Sequence, residues 1–174
     1  KDYGQAYEAA RGFGWVAPGT TTPRSLVGLG RDRMDANSNQ LLDTFMHMQA
    51  SPAGDWQVSV PSGSYDVTVA VGDAGNAVNS THAVRAESTV VIPPFTPTAA
   101  NKFRTETARV DVTDGFLTLS ATGGTNTKID YVDIDRITTS GPAPSDTWNP
   151  KVELTTSGPG TAPNYSGPVG VVAD

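Results

Sequence analysis

Cysteine is absent from the 174 residues, which removes disulfide staples, thiolate zinc sites and thiol nucleophiles together and leaves the redox compartment open. Histidine is scarce, with only His47 and His82. Neither has the His-Glu-x-x-His spacing, and no Gly-x-Ser-x-Gly elbow is present, so no motif supports a zinc protease or a His-assisted serine hydrolase. His47 reads instead as a packed or hydrogen-bonded group in or beside a strand. Basic clusters are lacking as well. No grouping is closer than the spaced pair Arg31 and Arg33, and the 12 Lys and Arg in all are scattered against 18 Asp and Glu, for a net charge of -6. A nucleic acid backbone would find no basic face on such a chain. No apolar run approaches the ~20 residues of a membrane-crossing helix, and no charged-then-apolar leader precedes Tyr3, so the expectation is a soluble, processed chain without membrane insertion.

What is present is a chain long enough for one sizeable core, with 18 Gly and 13 Pro, a turn-rich composition short of the level that marks disorder. The dominant pattern is two-residue alternation. Trp56, Val58 and Val60 alternate with Gln57 and Ser59. After Pro61-Ser62-Gly63, Tyr65, Val67, Val69 and Val71 alternate with Asp66, Thr68 and Ala70. These are two half-buried strands joined by a tight turn, and Ala108–Val112 and Leu117–Ala121 around Asp114-Gly115 read as a second hairpin. Ile129–Ile137 mixes apolar residues with Asp130, Asp133 and Asp135, which suits a strand near an end or edge of a sheet with solvated carboxylates. Leu41–Met48 fits two helical turns or a strand buried on both faces, of which the strand is favoured; Tyr3–Arg11 is the other short helical candidate. Roughly seven to ten short strands separated by Gly, Pro, Asn and Asp turns predict an all-β, two-sheet jelly-roll sandwich with very little helix.

Several segments carry a family resemblance. Asp2-Tyr3-Gly4-Gln5-Ala6-Tyr7, Gly12-Phe13-Gly14-Trp15-Val16 and Leu42-Asp43-Thr44-Phe45-Met46-His47-Met48-Gln49 are followed by Trp56–Pro61, Gly63–Val67, Val71-Gly72-Asp73 and Gly123–Val132. In this order, over residues 2 to 137, they resemble bacterial malectin-like, galactose-binding-like modules. The resemblance implies a non-catalytic β-jelly roll of a secreted or cell-surface protein, with a glycan as its partner.

The family's usual opening strand and Pro-rich approach to the Asp-Tyr-Gly motif are missing at the front. A body over residues 1–140 is instead followed by a Gly/Pro/Ser linker, 141–150, and by a segment, 151–174, that reads as strand, Pro-rich connector and Val-Ala-Asp. The first strand is thus expected at the C-terminus, where Lys151, Val152 and Leu154 would complete the sandwich in the same chain or in a neighbouring copy, with Trp148 and Tyr165 as anchors. The linker, at about 3.3 Å per residue, spans roughly 33 Å and permits either. A structural subunit or tandem repeat of an extracellular filament or surface layer is therefore the alternative to a carbohydrate-binding module.

For sugar recognition, aromatic faces and directional carboxylates are required. Tyr3, Tyr7 and Trp15, in segments matching the family's opening loops, and Asp73, at the end of a strand, are the ligand-binding candidates. A structural role competes at each: Trp15 also reads as core and Asp73 as a turn residue. Asp35, Asn37, Asn39 and Asp43 resemble part of a calcium loop. Gln40 and Met46 stand where an EF-hand would need Gly and Glu, so that motif fails, and an Asx-rich turn competes with a structural calcium ion. A paired-carboxylate glycosidase finds no pair singled out.

Overall fold

The computed structural model describes residues 2–34, 36–37 and 39–138. The expectations for the linker 141–150, for Lys151, Val152 and Leu154, for Trp148 and Tyr165, and for Asp35 lie outside the described residues. Within them the chain forms ten strands in two five-stranded antiparallel sheets. Sheet A runs β1 (Phe13–Val16), β4 (Asp55–Ser59), β9 (Phe116–Ser120), β6 (His82–Ala86), β7 (Thr89–Phe95). Sheet B runs β2 (Gly30–Asp32), β3 (Thr44–His47), β10 (Lys128–Arg136), β5 (Gly63–Gly72), β8 (Phe103–Val112). The all-β, two-sheet sandwich expected from alternation is the observed architecture.

Alternation decides the inner faces. Register pairs Trp15 with Trp56, and Val58 with both Phe13 and Leu117, so one residue in two along β1, β4 and β9 faces inward. Tyr65, Val67, Val69 and Val71 of β5, with Val110 and Val112 of β8, oppose them and are 3% exposed or less. Apolar burial of this kind, at about 25 cal/mol per Å², supplies the main drive for bringing the two sheets together.

Four local expectations change. The two supposed hairpins are not hairpins: β4 lies in sheet A and β5 in sheet B, and β8 in sheet B and β9 in sheet A. Both connections are corners at one end of the sandwich, tied to each other by Val60 N–H donating to Gly115 O (3.0 Å) and Ser62 Oγ to Thr113 O (3.1 Å). Period-two alternation fixes which side of a strand is apolar, and that side is the same whether the next strand joins the same sheet or the facing one. The hairpin that does form is β6 with β7.

Leu41–Met48 divides: Gln40–Asp43 is one helical turn (α1), capped by Asn39, and Thr44–His47 is β3. Tyr3–Arg11 forms no helix. It lies along β1, with Tyr7 N–H donating to Trp15 O (2.8 Å) and Trp15 N–H to Gln5 O (3.0 Å), because the free edge of β1 offers a ready set of backbone partners while so short a segment pays the full cost of helix nucleation.

β10 occupies an interior place in its sheet rather than an end. Its pairing is nevertheless lopsided. β5 accompanies it from Ile129 to Arg136, whereas β3 pairs only with Lys128 and Ile129. A bulge between Ile129 and Tyr131 falls where the β3 pairing stops.

Candidate functional site

Where β3 stops, the two sheets part. The space between β1 and β4 on one side and β10 on the other is a groove of about 1010 Å³. Its floor is built from inward-facing residues that the alternation supplies: Trp15, Trp56 and Val58 from sheet A, and Ile129, Val132 and Ile134 from sheet B. Trp15 is buried, while Trp56, Val58, Val132 and Ile134 are only partly covered. The rim is formed by the exposed Tyr3, Val27, Arg31, Asp32, Gln40 and Leu41.

Asp2 organises the sheet A wall. Its two carboxylate oxygens accept separate indole N–H bonds, Trp15 Nε1 to Oδ1 at 3.3 Å and Trp56 Nε1 to Oδ2 at 2.7 Å. The Gly4 N–H also donates to Oδ1, at 2.7 Å. Gly4 adopts φ +88°, and a Cβ there would lie 2.5 Å from the Leu26 carbonyl oxygen. Only glycine lets the chain turn this close to Leu26 and bring Asp2 under the indoles and Tyr3 out to the rim.

Tyr3 and Trp15 are therefore brought to one groove, Tyr3 at its rim and Trp15 in its floor. Tyr7 is placed elsewhere, half-buried with its ring edge-on to Phe116 at a centroid distance of 5.9 Å. Asp73 is also elsewhere, 3% exposed and held by Arg33 Nε (2.6 Å) and Nη2 (2.7 Å), Lys128 Nζ (2.8 Å) and the Gly75 N–H (2.8 Å). Burial pushes this carboxyl up, but the hydrogen bonds from Arg33, Lys128 and Gly75 outweigh it and hold the pKa at about 2. The Phe45 ring lies within 5.1 Å of the Arg33 guanidinium and 5.4 Å of the Lys128 ammonium, completing an internal ion cluster.

The calcium candidates form a hydrogen-bonded turn. Asn37 Oδ1 accepts from the Asn39 N–H (2.9 Å), Asn39 Oδ1 from the Leu41 N–H (3.1 Å), and Asp43 Oδ1 from the Asn37 N–H (3.1 Å). These are an Asx turn and a helix cap. Among the described residues, no three His, Cys, Asp or Glu side chains are grouped so as to hold a metal ion.

Both histidines are engaged. His47 Nδ1 is 3.2 Å from Asn126 Oδ1, and burial with the nearby Lys128 charge lowers its pKa. His82 is fully buried, accepts the Lys128 N–H at Nδ1 (3.1 Å), and is held down at about 4 by burial and then by the charge of Lys128.

Sequence reasoning missed Asp2, Trp56 and Asp130. Trp56 was legible as an inward strand residue but not as a groove wall. Asp130, expected in solvent, carries both carboxylate oxygens buried without a hydrogen-bond partner at the bulge of β10, beside the groove. Burial, reinforced by the negative charge of Asp73, raises its pKa well above the ordinary carboxylate value.

No family model matches this chain, and no curated protein matches it in sequence. Solved structures share its fold. The crystal structure of the Bacillus subtilis protein YxiM is similar at a TM-score of 0.50 and 19% identity, over 78% of this chain and 35% of that one. A Bacteroides uniformis β-glucuronidase is similar at 0.49 and 13%, over 70% of this chain and 15% of the enzyme. A carbohydrate-binding module of family 35 (CBM35) from Paenibacillus barcinonensis is similar at 0.42 and 14%, over 77% of this chain and all of the module. This chain spans about a third of the first protein and a smaller part of the second. At 19% identity the likeness to YxiM is one of fold alone.

Proposed function

We propose that this chain is a non-catalytic, carbohydrate-binding β-sandwich module of malectin-like type, working in an extracellular or cell-surface protein. The observation that carries the reading is the composition of the groove rim. An exposed aromatic, Tyr3, stands with Asp32, Arg31 and Gln40 around an apolar opening. An aromatic face stacks on the C–H face of a pyranose, and the carboxylate, guanidinium and amide supply directed bonds to its hydroxyls. A non-catalytic role is supported by the hydrogen bonding of the two histidines, whose Nδ1 atoms meet Asn126 Oδ1 and the backbone N–H of Lys128.

The test is a glycan array followed by calorimetric titration of the best ligand. Tyr3→Ala and Asp32→Ala are expected to weaken binding at least tenfold while leaving the melting temperature unchanged, since both side chains are exposed. An array without a binder, or binding indifferent to both substitutions, contradicts the reading.

A second reading, a subunit of an extracellular filament or surface layer that associates through its C-terminal segment, is favoured by the pairing of β10, which among the described residues has β5 along its length and β3 only at Lys128 and Ile129.

A further inference from the structure

A smaller cavity, of about 460 Å³, lies at the other end of sheet A from the Val60–Gly115 corner. Three connections meet there: the turn after β1 at Pro18 and Gly19, the segment from Met48 to Gly54 between β3 and β4, and the turn after β9 that begins at Ala121. The walls are fixed by their own bonds. Gln49 spends its whole amide on them, with Nε2 donating to Ala121 O (3.2 Å) and Gly124 O (2.9 Å) and Oε1 accepting from the Thr127 N–H (2.9 Å). The Gly54 N–H donates to Met48 O at 2.9 Å, and a Cβ at Gly54 would lie 2.7 Å from Leu26 Cδ1. The cavity is therefore built into the fold, as ligand pockets usually are.

Asp55, the first residue of β4, stands in its wall and is 7% exposed. Its Oδ2 accepts the Gly19 N–H at 2.8 Å. Oδ1 accepts no hydrogen bond among the described residues, and unlike the oxygens of Asp130 it is not sealed from the surface. No salt bridge reaches this carboxylate among the described residues. Arg24 bonds to the cavity wall at Ala53 O (3.3 Å) and not to Asp55. Burial pushes the Asp55 carboxyl up, and the Gly19 N–H pulls it back. Asp73 has two cations to compensate its burial; Asp55 has one backbone amide. A mostly buried carboxylate with a free oxygen and no countercharge is where an incoming cation gains most.

The remaining lining decides which cation. A hard metal ion needs several oxygen ligands, and Asp55 is the one acidic side chain in the cavity. A sugar hydroxyl would bond to Oδ1 but leave the charge uncompensated. A primary ammonium does both. It has three N–H donors, and beside Asp55 stands a hydroxyl pair, Ser120 Oγ donating to Thr122 Oγ1 at 3.3 Å, whose oxygens can accept the others. The carbon body of the amine would cover Met48 and Ala121, both buried apolar residues of the wall.

We propose that this cavity is a second binding site, for the primary ammonium group of a small amine, with Asp55 as its counter-ion. An aliphatic amine and an unacetylated amino sugar share that chemistry.

The experiment follows the Gly19 amide of the ¹⁵N-labelled full chain by NMR near neutral pH at constant ionic strength, where both amines are charged and Debye screening is held fixed. The probes are n-butylammonium and D-glucosamine, with 1-butanol and D-glucose as their uncharged counterparts. At least one amine is expected to move the Gly19 resonance to saturation, and neither neutral probe should. Which amine does so identifies the source of the ammonium. Asp55→Asn keeps an oxygen for the Gly19 N–H but removes the charge, and it is expected to bind the amine at least tenfold more weakly with no loss of melting temperature. Thr122→Lys, at an exposed position of the rim, places a competing cation there and is expected to weaken binding similarly. A Gly19 resonance unmoved by both amines, an equal response to the neutral probes, or undiminished affinity in Asp55→Asn or in Thr122→Lys overturns the proposal. The inference does not rest on the carbohydrate reading of the groove: loss of amine binding with glycan binding retained, or the reverse, removes one and leaves the other.

Discussion

Asp73, His82 and Asp130 show how burial treats three ionisable side chains differently according to what faces them. Asp73 meets two cations, and Lys128, 3% exposed, has no other anion bonded to it among the described residues. Removing one partner of a buried ion group leaves the other uncompensated, so Asp73→Ala is expected to cost about 3–5 kcal/mol in urea unfolding. Its depressed pKa makes its contribution present above the ordinary carboxylate value of 3.8 and lost as pH falls from there toward 2.

His82 also has a depressed pKa, about 4 against 6.5. The unfolded chain therefore takes up its proton first, and stability drains away as pH falls from 6.5 toward 4, by up to about 1.4 kcal/mol per pH unit. His82→Gln is expected to flatten that part of the pH–stability curve. Asp130 has the opposite sign. Its raised pKa favours the folded state at acid pH, and that contribution is lost as pH rises through the folded value. Asp130→Asn should therefore stabilise the chain at pH 7, by about 1–3 kcal/mol, and do little near pH 3, where both states carry the neutral acid. Denaturant midpoints across pH check all three.

At the scale of elements, the strands with regular alternation, β4, β5, β8 and β9, were legible from their residues, since each needs only one apolar face. Their sheet membership was not, because Tyr65 points inward whether β5 lies beside β4 or across from it. The Leu41–Met48 run was ambiguous for a related reason: its apolar residues serve both a single helical turn and a strand whose outer residue, Phe45, is covered by Arg33 and Lys128. Of the candidate site, the exposed position of Tyr3 in the opening segment was legible, whereas the pairing of Trp15 with Trp56 through Asp2 depends on a register that joins residues far apart in sequence. That arrangement hinges on Gly4. Gly4→Ala is expected to destabilise the fold by about 1–3 kcal/mol, from the left-handed backbone and the contact with Leu26 together. It should also free both indoles from Asp2, which a shift in tryptophan fluorescence would record; unchanged emission and an unchanged urea midpoint would argue against a role for this turn.

For the whole molecule, the consequence is a sandwich closed along β9, β6, β5 and β8 and open where β10 outruns β3. The closed part supplies a buried core, and the open part presents an apolar floor and an aromatic rim in one place. Calorimetric titration of the best glycan-array ligand against the wild-type chain and Tyr3→Ala tests the carbohydrate reading most directly. At least tenfold weaker binding in the variant, with an unchanged melting temperature, is expected, and binding indifferent to the substitution would contradict it.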